Sequence, residues 1–248
     1  MGRMTQVWRA ADRYRGGDEA AGIDTRHAFS FSGFYDPDNV RFGLLIACNE
    51  ERLAPGAGFA PHRHRDVEIV TWVVEGELEH RDDAGNSTLV RPGDVQRLTA
   101  GSGVRHSESN AGDGPLRFVQ MWLVPEEFGA EPEYDIVRGI ADGTPYALPG
   151  SRAVLHVRRL AEGERTAVPD CAFCYVHTVR GTAVLDGGGQ DTDAAPHARH
   201  EPREPYAPPA LHEGDAARIP DAAGRELRAV DGPAELLLWE MHGEPSYG

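Results

Sequence analysis

The chain has 248 residues, a formal charge of -15 at pH 7 and a sequence pI near 5.1. A surface field of that sign repels polyanions, so direct contact with nucleic acid is not expected. No apolar run approaches the ~18 residues of a membrane-spanning helix. Met1-Gly2-Arg3-Met4-Thr5 opens without an apolar signal region, so a cytoplasmic protein is expected.

Residues 1 to 40 are polar apart from one aromatic cluster, His27-Ala28-Phe29-Ser30-Phe31-Ser32-Gly33-Phe34-Tyr35, which reads as an entry strand packed on the strands after it. Phe42 to Cys48 is a second strand, and the turn-rich Pro55-Gly56-Ala57-Gly58 comes after it. Glu68 to Val74 is β-branched and aromatic, Glu75-Gly76 turns it, and Glu77 to Asp82 alternates polar with apolar residues. Leu89-Val90-Arg91, Val95 to Thr99 and Arg117 to Val124 continue the series, with Pro92-Gly93-Asp94 and Ala100-Gly101-Ser102-Gly103 at the bends. Short strands at close spacing with almost no helical period predict an all-β double-sheet jelly roll or closed barrel.

Two ligand-bearing pairs stand in this series. His62 and His64 alternate in one strand and His106 and Glu108 in another, so each pair shares a face, and the two can converge on one divalent ion. Three imidazoles and a carboxylate form a donor set of intermediate softness, suited to Fe(II), Ni, Cu, Zn or Mn, and they leave coordination positions free for chemistry. Ser107, between two inward residues, points the other way and is a poor nucleophile candidate.

Glu126 to Gly150 reads as a linker, beyond which the pattern recurs: Gly76 is echoed by Gly181, and Pro92-Gly93-Asp94 by Glu213-Gly214-Asp215. The glycines, 105 and 121 positions apart, place Ala167 and Pro169 opposite His62 and His64, and Leu227 and Ala229 opposite His106 and Glu108. The second copy is therefore expected to be metal-free, with residues 1–135 and 136–248 as two tandem domains. An insertion from Gly187 to Pro209 reads as a mobile loop, and His197 and His200 within it as solvated residues. Cys171 and Cys174 read as buried structural thiols on opposite faces of one strand, where one ion could not easily take both.

Gly56-x5-His62-x-His64 and Gly103-x2-His106-x3-Asn110 resemble the two halves of a cupin motif. The segments Phe59 to Thr71, Val74 to Asp82 and Pro92 to Glu108 resemble the pirin family more narrowly, with a close match over about residues 20 to 125. The resemblance implies a monomer of two tandem cupin barrels with one ion in the N-terminal cupin, held by His62, His64, His106 and Glu108. It ranks Fe(II) first among Fe(II), Ni, Cu, Zn, Mn and Co. For bacterial members it implies quercetin 2,3-dioxygenase activity on a small phenolic substrate with O2, with Glu108 as catalytic base as well as ligand. Animal members act as iron-dependent transcriptional cofactors, which leaves a protein partner as the alternative. Glu68 lies near the carboxylate position of general cupins, but the resemblance implies that it is not the ligand.

Overall fold

In the computed structural model, which describes residues 4–187, 192–193 and 208–245, the chain is built almost wholly of strands and divides into two compact units. One comprises Tyr14–Ala141 with Pro149–Arg152 and Pro245; the other comprises the stretch up to Arg13, Asp142–Leu148 and Ala153–Glu244.

The first unit is two antiparallel sheets. A seven-stranded sheet runs in the order Glu133–Val137, Val95–Thr99, Glu68–Glu75, Leu116–Leu123, Leu45–Leu53, Ile23–His27, Tyr14–Asp18. A four-stranded sheet runs Gly58–His64, Val104–Asn110, Leu78–Asp82, Ser87–Val90. Inward residues of both sheets meet in a core of Leu53, Val73, Leu78, Val90, Leu116 and Phe118. This is the double-sheet arrangement the alternation predicts.

The other unit is one continuous nine-stranded sheet. Two long strands, Phe173–Asp186 and Glu226–Met241, run through it, and their pairing shifts register between Thr178 and Thr182 around Gly181, which takes φ +74°. Where the first unit breaks the chain into separate strands at Gly76, this one bends through a bulge and keeps going. Leu227 and Ala229, opposite His106 and Glu108 in the glycine alignment, are buried in its apolar core.

Several expectations need revision. The domain division at residue 135 is too simple: Gln6–Trp8 pairs with Ala216–Pro220 in the second unit's sheet. The 126–150 segment is not a bare linker. Glu133–Val137 pairs with Val95–Thr99 and Pro145–Ala147 with Ala153–Leu160; both strands are short and neither holds a fully buried residue, so they carry little hydrophobic periodicity. The aromatic cluster is not itself a strand. The strand ends at His27, and Phe31 and Phe34 close a tight turn beyond it by backbone hydrogen bonds of 2.9 and 3.0 Å. Cys171 and Cys174 are both buried, yet Cys171 precedes the strand that starts at Phe173, so strand parity does not separate them and their thiols are in hydrogen-bond contact. Of the Gly187 to Pro209 insertion, Thr192–Asp193 pairs in parallel with Gln6–Val7, while His197 and His200 lie outside the described residues. Among the described residues, no helix is long and apolar enough to cross a membrane.

Phe118 is fully buried between the sheets of the first unit. Phe118→Ala should lower unfolding free energy by about 3–5 kcal/mol, measured by urea titration. A loss below about 1 kcal/mol would mean that the site's two sheets are held together elsewhere.

Candidate metal centre

The strand Val104–Asn110 buries Val104, His106, Glu108 and Asn110 and turns Arg105, Ser107 and Ser109 outward. It pairs with the edge strand Gly58–His64, His106 lying directly opposite His62. Between His106 and Glu108 the pairing shifts register, so that Glu108 faces Phe59. Pro61 lies in the skipped stretch. Lacking an N–H, it is tolerated at a bulge on an edge strand and would be costly within a regular ladder. At Gly58 the strands approach so closely that a Cβ would meet the Glu108 carbonyl oxygen and Ser109 at 2.5–2.7 Å, so only glycine fits.

The three histidine rings converge. Centroid separations are 4.7 Å for His62–His64, 4.6 Å for His62–His106 and 4.9 Å for His64–His106, and one nitrogen of each lies within 4.8 Å of the other two. Glu108 is not part of that tight triangle. Its carboxylate instead clusters with His106 and His80, within the same 4.8 Å limit, and it lines one pocket with His62 and His64. His106 is the residue the two clusters share, and His80 stands in the second of them.

The donors suit a cation. His62 Nδ1 lies 2.8 Å from the Ala60 carbonyl, which can only accept, so Nδ1 carries a proton and Nε2 is the nitrogen free to ligate. His106 Nε2 is buried and has no hydrogen-bond partner, a costly arrangement for a nitrogen with nothing to bind. Burial, with the neighbouring His106 and His62 rings, lowers the His64 pKa to about 4. Burial, with His62 and His80, lowers that of His106 to about 3. Both imidazoles are therefore neutral at ordinary pH, the form that ligates metal.

Glu108, 2 % exposed, is held by two amides: Gln96 Nε2 donates to Oε1 at 3.0 Å and Gln120 Nε2 to Oε2 at 2.8 Å. Each amide is oriented in turn by a donor on its oxygen, Tyr134 Oη at 3.1 Å on Gln96 and Trp122 Nε1 at 3.0 Å on Gln120. Because an indole N–H can only donate, the Gln120 amide cannot turn round without losing both contacts.

The pocket over the histidines has a volume of about 360 Å³ and walls of Phe31, Phe59, Ala60 and Trp122, with Asn49, Glu51 and Gln120 as polar points beside His62, His64 and Glu108. It falls in the size range of small-molecule sites. Glu68 is elsewhere: buried, it accepts from the Thr99 hydroxyl at 2.8 Å and lines neither this pocket nor either cluster of donors. Sequence reasoning missed His80, Gln96, Gln120 and Glu51. The available signal was parity, since His80 sits at an inward position of an alternating strand, as does Gln120 between Phe118 and Trp122.

A sequence profile of the Pirin family matches residues 9–123. A relative in Mycobacterium tuberculosis, named "Putative quercetin 2,3-dioxygenase", is 38% identical over 261 residues, covering 98% of each chain. The chain belongs to the pirin family. A protein of Escherichia coli K12 named quercetin 2,3-dioxygenase is 42% identical over 114 residues, 46% of this chain and 49% of its own. Among solved structures, the E. coli bacterial pirin YhhW in complex with nickel(II) has a TM-score of 0.79 at 27% identity, covering 97% of this chain and 100% of that one. A quercetin 2,3-dioxygenase of Acinetobacter baumannii shares the fold, with a TM-score of 0.70 at 21% identity over 99% of this chain and 91% of its own.

Glu51 supplies a pH prediction. Burial pushes its carboxyl up to about 8, against the hydroxyl of Thr25, which donates to it, and with Glu108 and Asp24 adding to the rise. A raised folded-state value means stability is lost as pH climbs from the unfolded carboxyl value towards about 8. In Glu51→Gln that loss is absent. The unfolding free energy of the variant minus that of the parent should rise between about pH 5 and pH 8 and level off above; a difference independent of pH would mean that Glu51 ionises normally.

Proposed function

We propose that this pirin is a metal-dependent dioxygenase that opens a flavonol such as quercetin with O2, working with one divalent ion, Fe(II) first among the candidates. The observation that carries the reading is the convergence of three histidines and a clamped buried carboxylate under an apolar pocket open to a small ligand. The names borne by the mycobacterial and E. coli relatives point to the same chemistry.

His62, His64, His106 and Glu108 would hold the ion. When bound, it supplies a Lewis acid that lowers the pKa of a phenolic hydroxyl and brings the substrate and O2 together. The chain's own residues supply the rest. Phe31, Phe59 and Trp122 offer faces and edges for a planar aromatic ligand and exclude water from it. Glu108 takes the flavonol 3-hydroxyl proton onto a carboxylate oxygen. The Gln96 and Gln120 amides, one on each oxygen, keep the carboxylate aimed, and general-base help of this kind is worth roughly 10²- to 10⁴-fold.

Metal analysis after anaerobic purification should return one equivalent per chain, and His106→Ala should abolish it; a full equivalent in the variant, or two ions in the parent, would refute the assignment. Glu108→Gln keeps an oxygen donor and removes the base. If it holds metal and still turns over within about threefold of the parent, short of the 10²-fold expected of a general base, the base role is wrong. If no metal form of the parent consumes O2 with any flavonol, the enzyme reading falls, and a metal-binding interaction protein takes its place.

A further inference from the structure

We propose that His80 is a positioning residue: with Asp82 it fixes the tautomer of His106, so that His106 turns a bare Nε2 towards His62 and His64. The inference rests on reading His106 as a metal ligand, but it concerns where a proton sits and can be judged without any metal.

Asp82 is the anchor. Its carboxylate accepts the backbone N–H of Asn86 at 2.9 Å and the Asn86 side-chain amide at 2.7 Å, and it is nearly fully buried. An ionised carboxylate has no proton to give, so the contact of 3.1 Å between Asp82 Oδ2 and His80 Nε2 requires the proton on the imidazole. When that is the ring's one proton, His80 has a lone pair at Nδ1. That nitrogen faces His106 Nδ1 at 3.4 Å. Two lone pairs would repel across this gap, so the proton on it belongs to His106 Nδ1, and His106 Nε2 is left bare. This is the nitrogen that is buried without a partner. The His80 ring is also held in place: it is fully buried and stacked on Tyr134 with centroids 4.2 Å apart and planes 14° off parallel.

The competing idea is that His80 is itself a ligand, since it clusters with His106 and Glu108. The hydrogen bonds argue against it. Its Nε2 is committed to Asp82 and its Nδ1 to His106, so no lone pair remains for an ion. A partner that takes a ligand imidazole's second N–H orients the ring and raises its basicity, and its loss typically costs 10- to 100-fold in metal affinity.

Long-range ¹H–¹⁵N correlation spectra of the metal-free protein read the tautomer directly, with His106→Gln identifying the signal. The Nδ1–H form is expected for His106, and the Nε2–H form overturns the proposal whether or not the protein ever proves to be a dioxygenase. His80→Phe keeps a ring against Tyr134 and removes both nitrogens. In competition titrations with Ni²⁺ it should bind roughly 10- to 100-fold more weakly at unchanged stoichiometry. His80→Asn places an amide oxygen near the Nδ1 position and should recover most of the loss. Affinity within about threefold of the parent in His80→Phe, well short of the expected loss, overturns the role, and complete loss of the site makes His80 a ligand instead. A parent that binds no Ni²⁺ removes the metal reading and leaves the tautomer to be decided by the spectra alone.

Discussion

The centre depends on one register. His62 can reach the ring of His106 only because Gly58–His64 and Val104–Asn110 are paired with those two residues opposite, and a slip of one residue would turn every donor on a strand to the other face. Two features hold that register. Gly58 allows a close approach that any side chain would block, and the bulge around Pro61 absorbs the extra length while leaving His62 and Glu108 on the same side of the barrel. The donors therefore inherit their positions from backbone geometry, which is stiffer than any side-chain contact. Glu108 is then aimed by Gln96 and Gln120, which stand on two different strands of the facing sheet, so the carboxylate is fixed from across the core.

Charge is distributed unevenly around these donors. His64 and His106 are kept neutral by burial and by the neighbouring rings, while the acids near them divide by environment. Asp82 is held low by its Asn86 and His80 donors in spite of burial, and Glu51 is pushed up because burial outweighs its single hydroxyl partner. One carboxyl thus anchors a proton chain as an anion, and the other presents a neutral acid to the pocket. Environments that separate like groups in this way are typical of functional sites.

Much of this is legible in the sequence, for identifiable reasons. Strand parity is strict, so His62, His64, His106 and Glu108 can be assigned to shared faces without coordinates. The repeat of glycine turns exposes the second copy, and Leu227 and Ala229 lie in its apolar core. Long-range partnership leaves no such mark. His80 alternates like any inward residue, and only the pairing of Leu78–Asp82 with Val104–Asn110 places it against His106. Glu133–Val137 is invisible as a strand because only Tyr134, Ile136 and Val137 are even partly buried, and Tyr134 finds its partner Gln96 some 38 residues earlier. Cys171 escapes a parity argument because the strand boundary that separates it from Cys174 is not marked in the sequence.

The pairing of Gln6–Trp8 with Ala216–Pro220 gives the chain an order of assembly. Neither unit is one uninterrupted length of polypeptide, and Gln6 meets Arg218 across about 212 residues. On a ribosome adding roughly 5–20 residues per second, the first strand must wait about 10 to 40 s for the strand it pairs with to be made. The strands of the first unit's two sheets have all been made by Val137, so those sheets can close well before then. The sheet that Gln6–Trp8 joins is therefore finished after the two sheets of the first unit.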